Sequence, residues 1–178
     1  MRRVAGALAA VVVAAAGVVA LLAFFSGRDR APVASTPVGP GQVFPDQGTA
    51  RLAPGQPPRQ PYNSNPPTSG PHAPAPVTRD GAALTNDQLL TALAAGNVVL
   101  FYGTARPPAA LRTLANDEAG PFDPPLAATG QAVILARRTG TAGVVAAAWR
   151  RLLRTASPTD PALRRFVDVW LGIGRQRK

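Results

Sequence analysis

The chain has 178 residues, enough for one domain of ordinary size with appendages, and it contains no cysteine. Disulfides, thiolate metal sites and thiol redox chemistry are therefore excluded. The net charge is +10, but nine Arg and one Lys against two Asp give residues 131–178 a net charge of +8, so the basic character belongs to the C-terminal third.

An apolar segment opens the chain. Residues 4–25 contain no charged or polar side chain, and as a helix they would be about 33 Å long, close to the ~30 Å hydrocarbon thickness of a bilayer. The segment is longer than the apolar part of a signal peptide, and no small-x-small cleavage site directly follows it. The sequence therefore predicts an uncleaved transmembrane anchor within residues 1–30, in contact with the bilayer through residues 4–25. A cleaved signal peptide is the alternative.

The charges beside this segment set its predicted orientation. Arg2, Arg3 and the amino terminus precede it, whereas Arg28 and Arg30 follow it and are partly offset by Asp29. This bias favours an N-terminus in the cytoplasm and a domain outside the membrane.

Proline and glycine dominate the next part of the chain. Residues 31–41 have no periodic apolar residues and predict an extended tether. Proline stays dense through residues 54–76, which excludes regular helix and central strand because proline lacks an N–H donor. We expect residues 42–80 to form an irregular coat on a domain of residues 42–174, followed by a basic tail, residues 175–178.

Helix and strand signals alternate after residue 80. Thr85 and Gln88 fit the capping box of a short helix. The apolar runs 98–102 and 132–136 predict two buried strands, and Pro107-Pro108 predicts the start of a helix between them. Strand, loop and helix in this order resemble the thioredoxin-like arrangement, in architecture only because cysteine is missing.

Two further helices are predicted near the C-terminus. With 100° per residue, the arginines of residues 144–154 fall opposite the apolar side chains, so this segment predicts an amphipathic helix. Asp160-Pro161 predicts the start of the last helix. The resulting fold class is α/β, a small single domain with a short sheet and flanking helices, preceded by one transmembrane helix and the Pro-rich tether.

A specific motif lies in the coat and contains the chain's one histidine, His72. Its residues are Pro66, Pro67, Thr68, Ser69, Gly70, Pro71 and His72. The motif resembles the signature of bacterial membrane-anchored proteins with domain of unknown function 3105. Weaker matches at residues 46–48, 54–55 and 147–149 extend the resemblance to about residues 42–173.

The resemblance implies further histidines that this chain lacks. The family places a histidine just before the Pro-Gly pair and an H-x-L-E-H-G motif before the apolar strand, a set suited to a metal or acid–base site. Here Arg51 stands at the first position, and Thr91, Ala94 and Ala95 stand where His, Glu and His would be. One imidazole cannot hold a tightly bound metal without further ligands. We therefore predict no metal, no cofactor and no catalytic residue.

The proximity of Thr68, Ser69 and His72 suggests a nucleophile and its base, but no orienting acid is evident. The interpretation we favour is a structural loop, in which the His72 ring bonds to backbone and the hydroxyl residues serve a turn.

The predicted function is that of a single-pass, extracytoplasmic interaction module without catalytic activity. Its candidate contacts to an anionic lipid or wall polymer are Arg150, Arg151, Arg154, Arg164 and Arg165. A plain solvated helix face is the alternative for these arginines. Two other functions remain open: an envelope metal-binding protein or enzyme with a degenerate site, and, with inverted topology, a cytoplasm-facing binder of nucleic acid or anionic lipid.

Overall fold

The computed structural model describes residues 39–175 of the chain. In these residues five strands and four helices follow one another as β1 (Gln42–Val43), α1 (Asn86–Ala95), β2 (Val98–Tyr102), α2 (Ala109–Ala119), α3 (Pro124–Ala128), β3 (Val133–Arg137), β4 (Val144–Ala148), β5 (Arg151–Thr155) and α4 (Pro161–Trp170). The predicted α/β class and single domain are confirmed.

The strands form one mixed sheet in the order β1-β5-β4-β2-β3. Strands β2 and β3 are parallel, whereas β4 is antiparallel to both β2 and β5, and β1 is antiparallel to β5. The carboxyl ends of β2, β3 and β5 therefore meet at one edge of the sheet.

Strands β2 and β4 are central, and all their residues are buried. Side chains alternate between the two faces along a strand. Val99 and Phe101 thus point to the face covered by α1, while Val98, Leu100 and Tyr102 point to the face covered by α2 and α4. Two apolar layers result, one on each side of the sheet.

The local sequence signals for α1, β2, α2 and β3 are confirmed, whereas β1 and α3 were not predicted. The side chain of Thr85 accepts a hydrogen bond from the Gln88 N–H at 3.2 Å, and the Gln88 side chain accepts one from the Thr85 N–H at 3.1 Å. The two predicted strands appear as β2 and β3, and α2 begins directly after Pro108. The last helix is also present, with the Asp160 side chain capping the Ala162 N–H at 2.9 Å.

The predicted helix over residues 144–154 is wrong. These residues form the antiparallel hairpin β4–β5, in which Ala148 pairs with Arg151 across the two-residue turn Trp149-Arg150. The segment is a run of apolar residues followed by a basic run, and a block of this kind produces an apparent helical face without true periodicity. Because β4 is buried between two layers of side chains, its residues form a strand despite the helix propensity of alanine.

Residues 44–80 contain no regular helix or ladder, and their one β-bridge joins Arg51 to His72. Within residues 39–175, no helix has both the length and the apolar character needed to cross a membrane. The predicted span at residues 4–25 and most of the predicted tether lie outside the described residues.

Candidate functional site

The signature motif packs beneath the turn of the β4–β5 hairpin. Residues 66–70 are buried, and the Arg150 N–H in the turn donates a hydrogen bond to the Thr68 carbonyl at 2.9 Å. Arg150 also extends its side chain to the Phe44 carbonyl, with Nε donating at 3.1 Å. The motif therefore joins the coat to the sheet through the tip of the hairpin.

The side-chain hydroxyls of Thr68 and Ser69 form hydrogen bonds to other residues of the coat. Ser69 Oγ accepts from the Gln47 N–H at 3.1 Å and donates to the Pro45 carbonyl at 3.4 Å. Thr68 Oγ1 lies 3.1 Å from Ser64 Oγ, which also accepts from the Thr68 N–H at 3.0 Å. Both residues have 0% exposure, so neither hydroxyl faces solvent.

The His72 ring is held by backbone, as the sequence predicts. Its Nδ1 lies 2.8 Å from the Gly70 carbonyl oxygen. A carbonyl can only accept, so Nδ1 carries the proton that is donated in this contact. The residue is 9% exposed, and its backbone pairs with the segment of Arg51, since the His72 N–H donates to Ala50 and the Leu52 N–H donates to His72, both at 3.1 Å.

Helix α1 fixes the next turn of the coat. Asp87 accepts a hydrogen bond from the Ala73 N–H at 3.0 Å, and Thr91 accepts one from the Ala75 N–H at 3.1 Å. Tyr62 donates its hydroxyl hydrogen to the Pro71 carbonyl at 2.9 Å. Burial raises the pKa of Tyr62, and the negative charge of Asp87 raises it further. Side chains at these positions thus serve to dock the coat.

The fold places two positions where the resemblance implies ligands, Arg51 and Thr91, next to His72 or to the segment after it. Arg51 lies beside His72, and Thr91 binds the segment that follows His72. Thr91 and Ala95 line a cleft of about 180 Å³ between α1, residues 74–77 and α3, with mainly proline and alanine around them. In the part of the chain that the structure describes, no three His, Asp or Glu side chains are grouped so that they could hold a metal ion.

The five predicted arginines do not share one face, which corrects the prediction of a basic helix surface. Arg151 is 4% exposed, and its guanidinium carbon lies 4.6 Å from the centre of the Trp170 ring. Burial lowers the pKa of Arg151, and the nearby charge of Arg150 lowers it further. A guanidinium in this place packs inside the domain and is not offered to an anionic polymer.

The other predicted arginines have different roles. Arg164 joins α4 to α2 through ion pairs with Asp117, at 2.8 Å, and with Glu118. Burial raises the pKa of Glu118, and its neighbour Asp168 raises it further. Arg165 is exposed on α4. Arg154 extends to the coat, where its Nη2 donates to the Asn65 carbonyl at 2.5 Å.

A second arginine, which is not among the five predicted contact residues, lies at this last contact. Arg138 also reaches Asn65, donating from Nη2 to the side-chain oxygen Oδ1. Arg138 and Arg154 are 16 positions apart, and Asn65 is a further 73 positions before Arg138, so no local pattern joins them. The position of Asn65 directly before the signature motif was the one available signal.

Comparison with known proteins places the chain in a family. No curated protein and no solved structure matches it. The family model described as "Protein of unknown function (DUF3105)" matches residues 57–174, from the coat to the end of α4 and just beyond. This match covers more than half of the chain, and it contains the signature motif and all of the sheet except β1. The chain therefore belongs to the DUF3105 family of proteins of unknown function.

Proposed function

We propose that the protein is a single-pass membrane protein whose domain lies outside the cytoplasm and acts as a non-catalytic interaction module. Residues 4–25 are its anchor, and residues 31–41 with their high content of proline and glycine are its tether. The length of the apolar segment supports an uncleaved span, and the flanking charges support an N-terminus in the cytoplasm.

The proposal of a non-catalytic role rests on one observation: the polar side chains of the motif form hydrogen bonds to other groups of the domain. A nucleophilic hydroxyl needs access to substrate and a base within hydrogen-bond reach. Thr68 and Ser69 are fully buried and bonded to the coat, and His72 uses Nδ1 to bind a carbonyl. These contacts support a role in holding the coat on the sheet.

The order of elements supports a thioredoxin-like architecture for the domain. Two parallel strands, β2 and β3, are joined by a helical crossover, and the antiparallel pair β4–β5 and α4 follow. In open α/β sheets, ligands bind beyond the carboxyl ends of the strands. The loop that leaves β2 here, residues 103–108, contains Thr104 and Arg106 and no cysteine, which favours binding over redox chemistry.

We propose an anionic lipid or wall polymer as the partner. Residues 131–178 have a net charge of +8, and Arg154 and Arg165 are exposed. Positive surface charge attracts anionic surfaces and polymers over about one Debye length, ~8 Å at physiological ionic strength. Binding of this kind weakens as salt is added.

Two measurements on the full chain test this proposal. A reporter fused after Lys178 is expected to be active outside the cytoplasm, and a protein purified from membranes is expected to sediment with phosphatidylglycerol vesicles or isolated cell wall at low salt. A reporter that is active only in the cytoplasm would overturn the topology. Wild-type protein that sediments with neither material at low salt would overturn the anionic partner.

A further inference from the structure

Two guanidinium groups converge on one uncharged residue at the carboxyl edge of the sheet. Arg138 donates to the side-chain oxygen of Asn65, and Arg154 donates to its carbonyl oxygen at 2.5 Å. Both charges therefore lie within the span of a single asparagine. Each guanidinium has five N–H donors, so the bonds to Asn65 use a small part of their capacity.

The backbone places both arginines on the same face. Arg154 pairs with Val145 across the β4–β5 ladder, and Val145 pairs with Phe101 of β2, so all three lie on the α1 side of the sheet. Arg138 follows β3 and lies over the same Phe101, with 5.9 Å between its guanidinium carbon and the ring centre. The pair thus flanks the carboxyl end of β2, where ligands of open α/β sheets bind.

No carboxylate of residues 39–175 forms an ion pair with either arginine of this pair. Among residues 39–175, neither Arg138 nor Arg154 takes part in a salt bridge, although Arg112 and Arg164 on the other side of the sheet do. Two like charges held together repel each other and favour an anion between them. An aspartate at position 65 would supply that anion, but the chain has asparagine there.

We infer that Asn65, Arg138 and Arg154 form a binding site for a phosphate group. Guanidinium groups bind phosphate through paired, charge-assisted hydrogen bonds, and the oxygens of one phosphate group can accept from two arginines. The inference rests on the proposed anionic partner and gives it a location and a chemistry. The phosphate has two possible sources, the headgroup of a phospholipid or a phosphate in solution.

The test uses the full chain in maltoside micelles, which carry no phosphate. Inorganic phosphate is titrated at low salt and followed by calorimetry, and binding to phosphatidylglycerol vesicles is measured in parallel. The double variant Arg138→Gln, Arg154→Gln is expected to weaken phosphate binding about tenfold or more, since two charge-assisted contacts are lost. The control Arg137→Gln, Arg165→Gln removes the same charge from exposed positions elsewhere and is expected to change binding less than about twofold.

A third variant separates binding from folding. Asn65→Asp is expected to abolish phosphate binding and to keep or raise the melting temperature, because the new carboxylate takes the place of the ligand between the two arginines. Unchanged phosphate binding in Asn65→Asp, or equal losses in the two double variants, would overturn the site. Absence of phosphate binding by the wild type at low salt would overturn it as well.

The outcomes also distinguish the site from the proposed function. Vesicle binding that falls with Arg138→Gln, Arg154→Gln identifies the lipid headgroup as the source, whereas binding of inorganic phosphate alone identifies the soluble source. If vesicle binding and phosphate binding both persist unchanged in this variant, the site is overturned and the anionic partner is left standing. A cytoplasmic reporter would overturn the topology and leave the site standing.

Discussion

At the scale of single residues, backbone conformation determines the contacts of a side chain as much as its chemical type does. Arg150 has a φ of 62°, a left-handed backbone conformation that residues other than glycine rarely adopt. Its backbone N–H and its side-chain Nε both donate to carbonyls of the coat. Such a conformation costs about 1–2 kcal/mol and persists only where surrounding contacts hold it. The sequence marked Arg150 as a surface cation, and only the hairpin and the coat together explain its conformation.

Glycines of the loop between β3 and β4 allow a test at this scale. Gly140 and Gly143 have φ values of 82° and 68°, but a Cβ at Gly140 meets open space, whereas a Cβ at Gly143 would lie 2.1 Å from the Thr155 carbonyl oxygen. We expect Gly140→Ala to lower the free energy of unfolding by about 1 kcal/mol. Gly143→Ala adds a clash with backbone, so we expect a loss of roughly 3 kcal/mol or more. Urea denaturation measures the free energy of unfolding of both variants. Equal losses would contradict the close approach of Gly143 to the end of β5.

At the scale of elements, the sequence predicted correctly those helices and strands whose signals lie within a few neighbouring residues. The capping box of α1, the Asp160 cap of α4 and the apolar run of β2 act within a few residues and were predicted correctly. The β4–β5 hairpin was missed because its alanines favour helix locally. Pairing of β4 with β2 on one side and β5 on the other overrides that preference.

Asn97 joins several elements and offers a prediction of its own. Its side chain donates to the carbonyls of Ala92 and Ala127, at 3.0 and 2.7 Å, and accepts from the Ala132 N–H at 2.9 Å. It is 1% exposed, so Asn97→Ala leaves up to three buried backbone groups without this partner. We expect a loss of about 3 kcal/mol or more in the free energy of unfolding.

The matched control for Asn97 is Asn86→Ala, at the exposed first residue of α1. Its effect is expected to stay within about 0.5 kcal/mol. Chemical denaturation of both variants decides the point: a loss in Asn97→Ala no greater than that in Asn86→Ala would show that the link between α1, α3 and β3 has little energetic weight.

At the scale of the whole molecule, residues 40–43 close the domain at its N-terminal end. Strand β1 extends the sheet at β5, and the Trp170 indole N–H donates to the Pro40 carbonyl at 2.9 Å. Gly41 lies so close to Phe166 that a Cβ would come within 2.8 Å of its ring. Residues 40 and 41, placed by the sequence in the tether, thus contact α4 and belong to the domain.

Truncation tests the contribution of this strand. A protein of residues 44–178 lacks the β1 pairing and the Pro40 acceptor that a protein of residues 39–178 retains. With a net stabilisation of about 1 kcal/mol for each hydrogen bond, we expect the shorter protein to be less stable by roughly 2–4 kcal/mol. Denaturation followed by tryptophan fluorescence measures the difference, and identical midpoints would show that β1 adds no stability.

The sequence by itself determined the fold class, because helix and strand signals alternate along the chain. It also determined the positions of β2 and β3, the caps of α1 and α4 and the backbone contact of the His72 ring, because each depends on residues near in the chain. It also determined the family, since the signature is a contiguous run of seven residues. Only the tertiary structure decided that residues 144–155 pair as strands, that Arg151 is buried against Trp170, and that Asn65 meets Arg138 and Arg154. These depend on the burial of β4 between two apolar layers and on contacts between residues 19 to 89 positions apart, which composition and periodicity do not encode.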